Sequence, residues 1–211
     1  HLYHRRQRQM CIRDSCSIGE CYEKIGDYSK ALMFYEKSLE IDDSLSESWL
    51  GIGVVRDLNN QPVQAIKFIK KAIDLDVENP DYWYLYAEIL AKLNKNSEAE
   101  LAFKKVIQLD PKNIDAWIDY SNFLFDNTSK STAINEVKKA IKSNDNQLDL
   151  KLRLVAMQIS TGNLSEAKSS LSEMQNSDQN TFKKLIDIYP EVLQVEEMNQ
   201  FFQPYKDNPN K

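Results

Sequence analysis

Residues 80–113 read PDYWYLYAEILAKLNKNSEAELAFKKVIQLDPKN. Two stretches of about 14 residues, rich in Ala, Leu, Glu and Lys, flank Asn94, and these residue types favour helix. Asn tolerates the left-handed backbone that ends many helices, so Asn94 marks a turn. In Asn79-Pro80 the Asn can cap a helix and the Pro can take its first position. Ser97-x-x-Glu100 fits a capping box opening a second helix. The stretch therefore predicts a helix–turn–helix hairpin.

The same pattern recurs on both sides. Ala31, Ala65, Ala99, Ala133 and Ala167 follow one another at intervals of 34 residues. Twelve residues before each stands Gly19, Gly53, Ala87, Ser121 or Val155, and sixteen before each stands Ser15, Trp49, Trp83, Trp117 or Lys151. Four after each comes Tyr35, Ile69, Phe103, Val137 or Leu171. The small columns mark where the two helices of a hairpin cross most closely. Turns are expected at Gly26, Asn60, Asn94, Thr128 and Gly162.

The pattern W-x2-[IY]-[GAS]…A-x3-[FYI]…P resembles the tetratricopeptide repeat. Repeat three carries it as Trp83, Tyr86, Ala87, Ala99, Phe103 and Pro111, and repeat one as Ile18, Gly19, Tyr22, Gly26, Tyr28, Ala31 and Tyr35. Ser15 and Lys151 replace the Trp, and Val77 and Asp145 replace the closing Pro. The resemblance implies an all-α fold, a right-handed α-solenoid of about five repeats (12–45, 46–79, 80–113, 114–147 and 148–178). Terminal repeats are expected to be atypical. Beyond residue 178 the register decays. Phe182, Leu185, Ile186 and Tyr189 keep helical spacing, Pro190 interrupts, and Val192, Val195, Met198 and Phe202 resume it. These are read as capping helices over 179–203, followed by a tail over 204–211.

Residues 1–15 (HLYHRRQRQMCIRDS) show no apolar period. Through RQMCIRDS they resemble translated adapter sequence at the ends of fragmentary genes, so the segment is expected to be unstructured and the natural N-terminus to lie upstream. Their four Arg and one Asp give +3, which leaves −8 on the remainder of a chain whose net charge is −5. An acidic body disfavours a nucleic-acid backbone as partner. Lys, Asn and Ile usage fits an AT-rich bacterial gene.

Composition narrows the chemistry. Both histidines, His1 and His4, fall in the first fifteen residues. A Ser-His-Asp or Cys-His arrangement is thereby excluded from the repeats. The three cysteines, Cys11, Cys16 and Cys21, are an odd set. Their spacing turns each side chain by about 140° on a helix, so they share no face for a metal. Free thiols point to the cytoplasm. No glycine-rich phosphate loop is present, since Gly51 and Gly53 fall inside a helix. No apolar run approaches the roughly 18 residues of a membrane span. The expectation is a protein without catalysis, metal or cofactor.

Within each repeat, positions 2, 5, 9 and 12 share one face of the first helix. By resemblance this face lines the groove in which such proteins hold a partner. It comprises Glu47, Leu50, Val54 and Asp57, then Asp81, Tyr84, Glu88 and Ala91, then Asp115, Ile118, Asn122 and Phe125. Some family members grip the C-terminal carboxylate of heat-shock chaperones with Lys, Arg and Asn here. These positions are acidic or apolar apart from Asn122, which points instead to a protein or peptide with basic and apolar side chains. The alternative is a non-catalytic arm of a larger enzyme, such as a transferase, encoded upstream.

Overall fold

The computed structural model of the chain describes residues 14–145, 147–175 and 181–206. All their regular elements are helical, with no strand among them. A first helix, α1, runs through residues 14–24. It is followed by α2 Tyr28–Ile41, α3 Ser46–Leu58, α4 Pro62–Leu75, α5 Pro80–Lys92 and α6 Asn96–Leu109. Next come α7 Ile114–Asn127, α8 Lys130–Ser143, α9 Leu148–Ser160 and α10 Leu164–Gln175. The described chain closes with α11 Thr181–Ile188, a short 3₁₀ helix Pro190–Gln194, and α12 Glu196–Lys206. The residues form two compact units that divide between Asp110 and Pro111.

The small-residue columns explain the hairpins. All five alanines spaced by 34 have 0% exposure, as does Ala87. Helices of one hairpin can approach closely only where side chains are this small, and the larger column that follows fills the space beside the crossing. Tyr35, Ile69, Phe103, Val137 and Leu171 are all 3% exposed or less. In the first unit, α3 packs on α4 and α5 on α6; in the second, α7 packs on α8 and α9 on α10.

Four of the five expected turns contain a left-handed residue: Gly26 (φ 81°), Asn60 (58°), Asn94 (56°) and Gly162 (79°). At each, the next residue's N–H reaches back five positions, as in Lys95 N–H to Leu90 O at 2.9 Å. The fifth turn differs. Thr128 has φ −127°, because a β-branched residue resists the left-handed region, and α7 runs to Asn127 instead.

Two local expectations need correction. Ser97 caps nothing: α6 begins at Asn96 behind Lys95, which makes no side-chain cap bond. Glu100 does not reach back to close a capping box; its Oε1 lies 2.6 Å from Lys104 Nζ. By contrast Asn79 Oδ1 does accept the Asp81 N–H at 3.1 Å, with Pro80 in the first turn. The chain ends also differ from expectation. Helix α1 already includes residues 14 and 15, with Ser15 buried. At the other end α12 continues through Pro204 to Lys206, forgoing the ladder bond that a proline cannot donate. The remaining residues of those two segments, with both histidines and Cys11, lie outside the described residues.

Tryptophan does more than fill space. The indole N–H of Trp49 donates to Asp43 O at 2.8 Å, that of Trp83 to Val77 O at 2.8 Å, and that of Trp117 to Pro111 O at 3.0 Å. Each bond ties a first helix to the loop six residues before it. Lys151 stands where the fourth such Trp would be, and there the matching loop residue, Asp145, turns left-handed (φ 51°).

Candidate partner-binding face

In the first unit, α3 and α5 place the expected face residues in one repeating pattern. Glu47 and Asp81 are exposed, while Leu50, Val54, Tyr84 and Glu88 are half-buried, as are Asp57 and Ala91. Asp57 forms an ion pair with Lys92 of α5 at 2.5 Å, with 14% of its side chain exposed. That bridge joins the two helices and neutralises one acid of the rim. Tyr84 meets Phe103 of α6 edge to face, with ring centroids 6.4 Å apart, which fixes its ring against the second helix of its hairpin.

In the second unit, α7 repeats the pattern. Asp115 is exposed, and Ile118, Asn122 and Phe125 are half-buried. Phe125 is not the bare apolar anchor the sequence suggests. Lys130 Nζ lies 5.2 Å from its ring centroid, and the guanidinium carbon of Arg153 lies 5.7 Å away. The negative face of an aromatic ring attracts such cations. Arg153 also lies 5.6 Å from the ring of Tyr189, and burial lowers its pKa from the ordinary arginine value. Sequence spacing could not foresee this grouping, because Arg153 comes from the next hairpin and Tyr189 from beyond the repeats.

Two surface cavities of about 390 Å³ also escaped the sequence reading. One, in the first unit, is lined by Trp83, Tyr86, Glu98, Leu101, Ala102 and Lys105. The other, in the second unit, is lined by Ile141, Lys151, Leu154, Ser170, Glu173 and Met174. Both use repeat positions 4, 7, 23 and 26, so they are one recurrent hollow rather than two unrelated ones. Among the described residues no group of three or more His, Cys, Asp or Glu could hold a metal ion, and no helix is long and apolar enough to cross a membrane. Cys16 is buried, which pushes its thiol pKa up, whereas Cys21 is exposed.

The family model for subunit 3 of the anaphase-promoting complex, or cyclosome, matches residues 24–106. No curated protein matches the chain in sequence. Among solved structures the chain is similar to the MamA protein, with TM-score 0.66 and 20% identity over 82% of this chain and 94% of that one. It is similar to YrrB, described as a TPR protein with an unusual peptide-binding site, with TM-score 0.63 and 19% identity over 88% and 90% of the two chains. It is also similar to the first TPR of Spaghetti (RPAP3) bound to the HSP90 peptide SRMEEVD. That match has TM-score 0.54 and 18% identity, and covers 57% of this chain and 95% of that one. At these identities the likeness is one of fold.

Proposed function

From the tetratricopeptide-repeat fold of this chain, we propose that it is a non-catalytic interaction scaffold. On this reading it takes up a peptide or subunit segment on positions 2, 5, 9 and 12 of its first helices. The observation that carries this reading is the register of exposure, which recurs within each of α3, α5 and α7: an exposed acid at position 2 and half-buried residues at positions 5, 9 and 12. Two of the fold neighbours support it: YrrB is described as having a peptide-binding site, and the RPAP3 repeat is bound to a peptide.

Charge argues for the kind of partner. SRMEEVD carries two Glu and one Asp, whereas the acids Glu47 and Asp81 stand exposed on this face in the first unit, with Glu88 and Asp57 half-buried beside them. Like charges brought together weaken binding, and opposite ones speed encounter. The partner proposed here is therefore a segment with Lys or Arg beside apolar anchors, bound through Leu50, Val54 and Tyr84.

Two labelled peptides test this by fluorescence anisotropy on the full chain: SRMEEVD, and SRMKKVK, in which each of its acids becomes Lys. We expect SRMKKVK to bind at least about tenfold tighter, a difference of ~1.4 kcal/mol, and to weaken as salt rises. Glu88→Lys together with Tyr84→Ala should abolish that preference while leaving the far-UV helical signal intact. A preference for the acidic peptide, or a double variant that binds as well as the parent, would refute the reading.

A further inference from the structure

The half-burial register stops at the fifth hairpin. There positions 5, 9 and 12 are Leu152, Ala156 and Ile159, with exposures of 0%, 1% and 3%. What covers them is this chain's own C-terminal segment. The three residues share one buried cluster with Val192, Met198 and Phe202, and the 3₁₀ helix Pro190–Gln194 contacts α9 directly.

The route is set by Tyr189–Pro190. In the 34-residue register a sixth repeat would begin at residue 182, and α11 does begin beside it, at Thr181, and packs on α10 as a next first helix would. Proline has no N–H and drives the residue before it out of the helical region. Tyr189 accordingly sits at φ −128°, ψ 67°, and α11 stops at Ile188. The chain then turns across α9, Tyr189 stacks on Arg153, and α12 is tied to α10 by Lys168. The Lys168 Nζ lies 3.9 Å from Glu197 Oε2 and 5.9 Å from the Phe201 ring centroid. A segment that only closed the end of the stack would cover the surface a next hairpin covers, as α11 does. The stretch after Pro190 also covers positions that the second, third and fourth hairpins leave half-open.

We propose that residues 189–202 are an internal occupant of the fifth hairpin's binding face, keeping that face shut until a competitor displaces them. The proposal rests on reading positions 5, 9 and 12 as ligand-facing. The competitor's chemistry follows from the occupant's: an aromatic ring to stack on Arg153, followed by apolar anchors for Leu152, Ala156 and Ile159. A tethered segment competes at an effective concentration in the millimolar range, so a free ligand meets a face that is closed most of the time.

The probe is a labelled peptide with the sequence of residues 189–206, YPEVLQVEEMNQFFQPYK, added to the full chain and to its Val192→Asp variant. Val192 is 1% exposed, and a buried carboxylate there should loosen the internal segment. We expect the variant to bind the peptide at least about tenfold tighter than the parent chain, and a peptide carrying the same V192D change to bind neither. Equal binding by both chains overturns the proposal. If the variant loses its fold, hydrogen exchange on the parent chain decides. Opening of 189–202 while α9 stays protected supports an occupant, whereas one shared opening of the segment and α9 makes it ordinary core and overturns the idea. The SRMKKVK test reads the face of the first unit and this one reads the fifth hairpin, so failure here is distinguishable from failure there.

Discussion

Tyr35 fills the space that two missing side chains leave. A Cβ on Gly19 would lie 2.8 Å from Tyr35 Cδ1, and one on Gly51 would run into the ring at Cζ. Its hydroxyl donates to Glu23 Oε2 at 2.8 Å. Burial pushes the Glu23 carboxyl up from the ordinary range, and the bond from Tyr35 only partly opposes it. The Tyr35 hydroxyl is itself raised, first by burial and then by Glu23. A carboxyl whose pKa is raised on folding binds its proton more readily in the folded chain, so this site stabilises as pH falls through the raised value. Denaturant midpoints taken between about pH 7 and about pH 4.5 should show the parent chain gaining on Glu23→Gln, whose amide does not titrate. A difference that stays constant, or that grows in favour of Glu23→Gln on acidification, would contradict this account. Gly19 stood out in the sequence because it falls in a column. Gly51 did not, because its reason is a single tyrosine on a neighbouring helix.

At the scale of the element, the hairpin turns are where sequence and backbone correspond most directly. Gly26, Asn60, Asn94 and Gly162 are residues that accept φ > 0, and each does so. Placing a β-branched side chain there forces it into a region disfavoured by roughly 1–2 kcal/mol. Asn94→Val should therefore lower thermal stability by about that amount, while Thr128→Val, at a turn with no left-handed residue, should change it much less. Similar losses for both would mean that backbone conformation is not what separates these turns. The helices and turns were legible because a 34-residue recurrence multiplies a weak local signal five times. The capping box was misread because Ser97 and Glu100 fit a pattern that no other hairpin repeats at that position, and the Glu found Lys104 nearer to hand. The face residues were legible by position, but not by surroundings. Phe125 reads as an open anchor until Lys130 and Arg153 are seen at its ring.

For the whole molecule, charge is the property that sorts partners. Outside the first fifteen residues the net charge is −8. Phosphate backbones bind through clustered cations and release of counterions, so the chain should not retain single-stranded poly(U) RNA at about 50 mM salt. Retention that weakens as salt is raised would contradict the protein-binding reading outright. The tryptophan-to-carbonyl bonds carry a different consequence, for anyone wishing to graft parts of this chain. Because each indole grips the loop before its own helix, a module excised at the formal repeat boundary keeps its tryptophan and leaves the acceptor behind. A transplant spliced instead through the tight bends at Asn60 and Asn94 would carry donor and acceptor together. The natural building block for recombination is thus offset by half a period from the one the alignment suggests.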